Sequence, residues 1–188
     1  MDRIHTVLND VAANAIIDYR IIGAGAVWAM GLGGRRTADF DILVEVNTTV
    51  KAKKQLLQHE DFGRTPQKSI YIRVDGTAYN IDILTPPRVH LSSFPPDIYD
   101  QHLTFAHVAP VECVLASKIG AYRDPGRKDA KRATDIGDIT FLLGLAVSKS
   151  MKFGFDGVQN LDKDFVLSFR KVRSGSKESF DSLGCSVD

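Results

Sequence analysis

The apolar positions of this chain fall into runs whose period changes along its length, and each change marks an element. Ile4, Val7, Leu8, Val11, Ala12 and Ala15 recur at helical spacing, so residues 3–17 are predicted as an amphipathic helix. A short apolar run, Ile21-Ile22, then meets Gly23-Ala24-Gly25, and a compact segment from Ala26 to Met30 runs into a second turn, Gly31 to Gly34. That order reads as strand, glycine turn, short helix and loop. Past the basic pair Arg35-Arg36, the stretch Thr37 to Val44 alternates with a period of two, which predicts a strand. Asn47-Thr48-Thr49 supplies capping groups for a helix from Val50 to His59. Residues 69–84 alternate out and back around Asp75-Gly76, a hairpin signal. The stretch 86–108, with Pro86-Pro87, Ser92-Ser93 and Pro95-Pro96, is expected to be an irregular connection. Pro110 opens a helix that Asp124-Pro125-Gly126 ends near residue 123, and a second helix is predicted over 128–145. A short helix is expected over 162–172, and the serine-rich stretch beyond it is expected to be loose.

Composition narrows the class. A chain of 188 residues suits one domain with an appended element and can bury a sizeable core. We therefore divide it into a main domain over 1–148, a covering segment over 149–172 and a flexible tail over 173–188. With 44% hydrophobic and 25% charged residues it reads as a soluble globular protein. A net charge of +1 argues against a surface that coats nucleic acid, while leaving room for local basic patches. Two cysteines, Cys113 and Cys185, make no disulfide framework, so a reduced, cytoplasmic setting is expected. No run approaches membrane-spanning length, and no membrane partner is expected.

The strand at 39–44 carries the chemistry. Side chains at i and i+2 share a face, with α-carbons about 6.5 Å apart, so Asp39 and Asp41 point together while Phe40, Ile42 and Val44 point into a core. Two such carboxylates repel by about 4 kcal/mol at roughly 4 Å in an intermediate dielectric. That juxtaposition suggests a cation, and oxygen-only ligands suit Mg²⁺ or Mn²⁺. In the hairpin, Ile81 and Ile83 take one face, which leaves Asp82 with Asn80 on the other. Lys51, Lys53 and Lys54 read as a solvated helix face, and no pair among His59, His90, His102 and His107 has the spacing of a helical metal site.

A glycine-small turn, a short helix, and then Arg35-x-Thr37-x-Asp39-x-Asp41 running into Ile42-Leu43-Val44 resembles the DNA polymerase β-type nucleotidyltransferase superfamily, and within it the minimal and abortive-infection (type IV toxin) nucleotidyltransferases. The resemblance covers about residues 19–145. It departs at the turn, where the family shows Gly-Gly or Gly-Ser. Counting back from Asp39 puts Ala24-Gly25 in that slot, whereas the strand context favours Gly23-Ala24. The implied architecture is α/β (α+β): a nucleotidyltransferase fold with a short mixed sheet flanked by helices and a helical C-terminal part. The implied reaction moves a nucleoside monophosphate from an NTP, ATP among the candidates, to an acceptor that is a small molecule, a tRNA end or a protein.

By this resemblance Asp39, Asp41 and Asp82 are the catalytic carboxylates and hold Mg²⁺ or Mn²⁺, with Asp82 on the acceptor side. Gly23, Ala24, Gly25, Arg35, Arg36, Thr37 and Lys118 are implied to contact the nucleotide. For Arg123, Arg127 and Asp135, helix-surface charge pairs serve equally well as an explanation. A non-catalytic member of the fold, acting as a binding or assembly module, is the alternative that the altered turn favours. A dinucleotide-binding turn is set aside because Trp28 occupies the third-glycine position, and a Walker loop because Gly34-Arg35-Arg36-Thr37 leads into a strand.

Overall fold

The computed structural model describes residues 3–4, 6–8, 18–33, 37, 39–95 and 107–187. The chain divides into two compact units, Met1–Arg88 with Ser92–Pro110, and Val89–Leu91 with Val111–Asp188. The main-domain boundary expected after residue 148 thus falls inside the second unit. Among the described residues, no helix is long and apolar enough to cross a membrane.

The first unit is built on a five-stranded sheet, in which the first strand of the sequence is followed across the sheet by the second, fifth, fourth and third. Its strands are β1 (Tyr19–Ile22), β2 (Asp39–Val44), β3 (Phe62–Arg64), β4 (Ile70–Val74) and β5 (Thr77–Leu84), with helices α1 (Gly23–Ala29) and α2 (Thr49–Leu56) between them. β2 runs parallel to β5, and the other pairs are antiparallel. The mixed sheet expected from the sequence is therefore present. Its hairpin closes where expected: Asp75 and Gly76 have φ of 50° and 78°, the pair of positive values a two-residue turn needs to match strand twist. One sheet face is apolar, with Phe40, Ile42, Val44, Ile70, Ile72, Val74 and Ile81 all buried. α1 packs closely there, since a β-carbon on Gly25 would stand 3.0 Å from the Phe40 ring.

Two features differ from the expectation, and a third is described only in part. β3 was not predicted, because three residues with a single buried side chain, Phe62, carry no readable alternation. The irregular connection ends in order: Ile21 N donates to His107 O at 2.7 Å and Ala109 N to Ile21 O at 2.9 Å, so residues 107–109 cover the outer edge of β1. At the N-terminus, the described residues 3, 4 and 6–8 are helical with Ile4, Val7 and Leu8 buried; the rest of the expected helix lies outside the described residues.

The second unit comprises α3 (Val111–Arg123), α4 (Asp129–Ser148), α5 (Lys163–Val172), a 3-10 turn (Ser174–Ser176) and α6 (Lys177–Ser182). Asp162 caps α5, its Oδ1 accepting from Phe165 N at 2.7 Å. The apolar face of α5 brings Phe165 and Phe169 to Phe180 and Tyr122, with ring centroids 5.3 to 6.3 Å apart. Phe180, Leu183 and Cys185 are fully buried, which corrects the expectation of a flexible tail over 173–188. The reason is a C-terminal cap hidden among the serines. Gly184 takes φ +83°, its N–H reaches Asp181 O at 3.1 Å, and Cys185 N reaches Phe180 O at 2.8 Å. Those paired bonds end a helix with a left-handed glycine and turn the next apolar residue inward.

Candidate functional site

The parallel pairing of β2 with β5 is what assembles the acidic face. It sets Asp41 opposite Asp82 and Asp39 opposite Asn80. Residues paired this way project from the same face, and neighbouring strands lie about 4.8 Å apart. Asp39, Asp41 and Asp82 therefore occupy two adjacent rows of the face that the core does not use. Asp39 and Asp41 are half-buried and Asp82 is exposed. Asn80, which sequence reasoning had only placed beside Asp82, is part of the constellation: its Nδ2 donates to Asp39 Oδ1 at 3.1 Å. The parallel register is the missing signal, and no local pattern encodes it. Asn80→Ala should lower stability by only about 1 kcal/mol, because the bond faces solvent. Urea denaturation of the two proteins checks this.

The glycine turn meets the carboxylates directly. β1 ends at Ile22, opposite Asp41, and α1 begins at Gly23 with φ +63°. A β-carbon on Gly23 would fall 1.9 Å from Asp41 Oδ2 and 2.9 Å from its Cγ. The Asp41 carboxylate thus lies against the bare α-carbon of Gly23. Of the two registers left open by the sequence, Gly23-Ala24 occupies the strand-to-helix junction, while Gly25 sits one step inside α1, buried against Phe40.

The other candidate residues are distributed as follows. Thr37 Oγ1 donates to Asp39 O at 2.7 Å and accepts from Asp39 N at 3.3 Å, so this hydroxyl fixes the entry of β2. Arg35 and Arg36 lie outside the described residues. Lys118, on α3, is buried, with Nζ 2.7 Å from Asp138 Oδ2 and 3.6 Å from Asp135 Oδ1. Arg127 forks onto Asp135 through Nε at 2.8 Å and an Nη at 2.9 Å. Lys118, Arg127, Asp135 and Asp138 thus form one ion network inside the second unit, in place of the helix-surface pairs expected for Arg127 and Asp135. Neither thiol offers a nucleophile: burial pushes Cys113 up to about 11 and also raises Cys185.

The donor set of the acidic face, carboxylate oxygen only, suits a hard divalent cation. The side chains are not closed around one, however. Among the described residues, no group of three or more His, Cys, Asp or Glu is gathered tightly enough to hold a metal ion. Asp39 is turned to Asn80 and Asp41 to the Gly23 junction.

A mixed sheet with a parallel central pair, a glycine junction and carboxylates on the open face defines a nucleotidyltransferase-type fold. The chain is similar in structure to an antigenic nucleotidyltransferase-like protein from Paracoccidioides brasiliensis, with a TM-score of 0.70 over 97% of this chain and 92% of that one, at 19% identity. It also aligns with the antibiotic-resistance factor ANT(2'')-Ia, with a TM-score of 0.49 over 96% of each chain and 10% identity. No protein-family model and no curated protein matches the chain. At 19% identity the first likeness is one of fold, and this chain has the nucleotidyltransferase fold.

Proposed function

We propose that this protein is a metal-dependent nucleotidyltransferase, moving a nucleoside monophosphate from an NTP to an acceptor and releasing pyrophosphate. The observation that carries the reading is the in-register pairing of Asp41 with Asp82 beside the Gly23 junction. On this reading Asp39 and Asp41 hold Mg²⁺ or Mn²⁺ against the triphosphate. When bound, such an ion supplies charge neutralisation for the phosphates and the leaving oxygen. Asp82, on the neighbouring strand, takes the proton of the acceptor hydroxyl or orients it as the new P–O bond forms and the bond to pyrophosphate breaks. The bare α-carbon of Gly23 lets phosphate approach the backbone beside Asp41. Two free thiols, Cys113 and Cys185, are in keeping with a reduced, cytoplasmic setting.

A second reading, a non-catalytic binding module, is favoured by one observation: the carboxylates are not gathered as a ligand cluster among the described residues. Thermal melts separate the two. With Mg²⁺ and the right NTP at a hundred times its dissociation constant, wild type should gain about 2.7 kcal/mol. That corresponds to a rise of roughly 5–10 °C for a chain of this size. Asp39→Asn should lose most of the rise and, in chelator, should melt above wild type because a repulsion is removed. Pyrophosphate release with each labelled NTP, followed by tracing the label to small molecule, RNA or protein, then identifies the acceptor. If wild type shows no rise with any NTP and the mutant no gain in chelator, the binding-module reading stands instead.

A further inference from the structure

The open sheet face continues past the carboxylate rows onto β4. The antiparallel register there sets Tyr71 opposite Asn80 and Arg73 opposite Ala78. One row therefore runs Tyr71, Asn80, Asp39, and the next row holds Arg73 beside a side chain too small to cover it. Tyr71 is pinned from the other side by β3. A β-carbon on Gly63, its partner in register, would fall 2.4 Å from the Tyr71 hydroxyl oxygen and 2.5 Å from Cζ, so the ring lies across bare backbone. The Arg73 guanidinium stands 5.7 Å from the centre of that ring. Its own backbone N–H is tied to Asp61 O at 2.8 Å. Arg73 is exposed, and among the described residues no carboxylate lies within ion-pair distance of it.

Gly63, Tyr71 and Arg73 thus lie one against the next on the acidic face, with the Tyr71 ring beneath the Arg73 guanidinium. An arginine stacked in this way has lost part of its rotamer freedom before any ligand arrives, and its forked donors fit a phosphate or a carboxylate. Its position decides which ligand. β4 neighbours β5, the strand of Asp82, and lies on the far side of β5 from the paired carboxylates of β2. Four residues separate Asp82 from Ala78, the partner of Arg73, a distance of about 13 Å along the strand.

We propose that Arg73, held on Tyr71, is a specificity-determining residue that binds an anionic group of the acceptor, a phosphate or a carboxylate remote from the reacting oxygen. The proposal rests on the reading that Asp82 faces the acceptor. It selects acceptors that carry a negative charge.

The probe is the anion itself. In ¹⁵N-labelled protein, the Arg73 Nε–H resonance is assigned by its loss in Arg73→Lys. Inorganic phosphate and acetate are then titrated separately, with chloride adjusted to constant ionic strength. The Arg73 signal should move saturably, and Tyr71→Leu should weaken the apparent affinity about 5-fold, the loss expected for an exposed cation–π support. Stronger binding of phosphate points to a phosphorylated acceptor, and stronger binding of acetate to a carboxylated one. Asp39→Asn should titrate like wild type, which keeps this test independent of the melts with NTP. A signal that follows chloride equally, or that responds to Asp39→Asn and not to Tyr71→Leu, overturns the proposal even if nucleotidyl transfer is demonstrated.

Discussion

Gly23→Ala will lose both stability and the nucleotidyl transfer proposed above, and the two losses have separate causes. The first is conformational: Gly23 has φ +63°, where a β-carbon costs about 1–2 kcal/mol. The second is steric, because the new methyl would stand 1.9 Å from Asp41 Oδ2 and cannot share that space. Asp41 must swing away from the junction or β1 must part from β2. A displacement of about an ångström in a reacting constellation lowers turnover on the order of 100-fold. Gly31→Ala is the control, since Gly31 has φ +108° with nothing within 4 Å of its would-be β-carbon. It should show the backbone penalty alone and keep its turnover. Urea denaturation and pyrophosphate release on both variants give the comparison. If Gly23→Ala turns over like Gly31→Ala, the pose of Asp41 against Gly23 is not the reactive one.

What could be read beforehand was whatever depends on near neighbours in the chain. The alternation of Asp39-Phe40-Asp41-Ile42 specified a strand and its two faces, and observed burial follows it. Asp75-Gly76 specified the hairpin for the same reason, a local need for positive φ. Features that need a partner far along the chain were out of reach. The bond from Asn80 to Asp39 spans 41 positions and exists only because β2 and β5 pair in parallel. The stack of Arg73 on Tyr71 was open to an i, i+2 argument, but the flat space beneath it comes from Gly63 on a strand too short to be recognised. The C-terminal stretch shows a different failure. Its serines suggested a loose chain, while Phe180, Leu183 and Gly184 already carried the spacing of a capped amphipathic turn.

Lys118 is where resemblance and geometry part most sharply, and one substitution decides between them. The family pattern implies that this lysine approaches nucleotide phosphates. In the structure its side chain is 9% exposed, and it lies 2.7 Å from Asp138 and 3.6 Å from Asp135, whose own side chains are only 2% and 1% exposed. Removing the cation leaves Asp135 to Arg127 and takes the ammonium partner from Asp138 in a place water barely reaches. Breaking a buried pair from one side costs roughly 3–5 kcal/mol, so Lys118→Met should lower the melting temperature on the order of 10 °C. Pairing it with Asp138→Leu removes the other charge of that pair as well and should recover much of that loss, because a well-packed apolar pair can match a buried ion pair. Arg127 still holds Asp135 in both variants. The melts are run without ligand and again with Mg²⁺ and NTP. A large drop in the free protein, largely rescued in the double variant and with the NTP-induced rise retained, identifies Lys118 as a member of the internal network. An unchanged melt in the free protein with the NTP-induced rise abolished would instead return Lys118 to the phosphates.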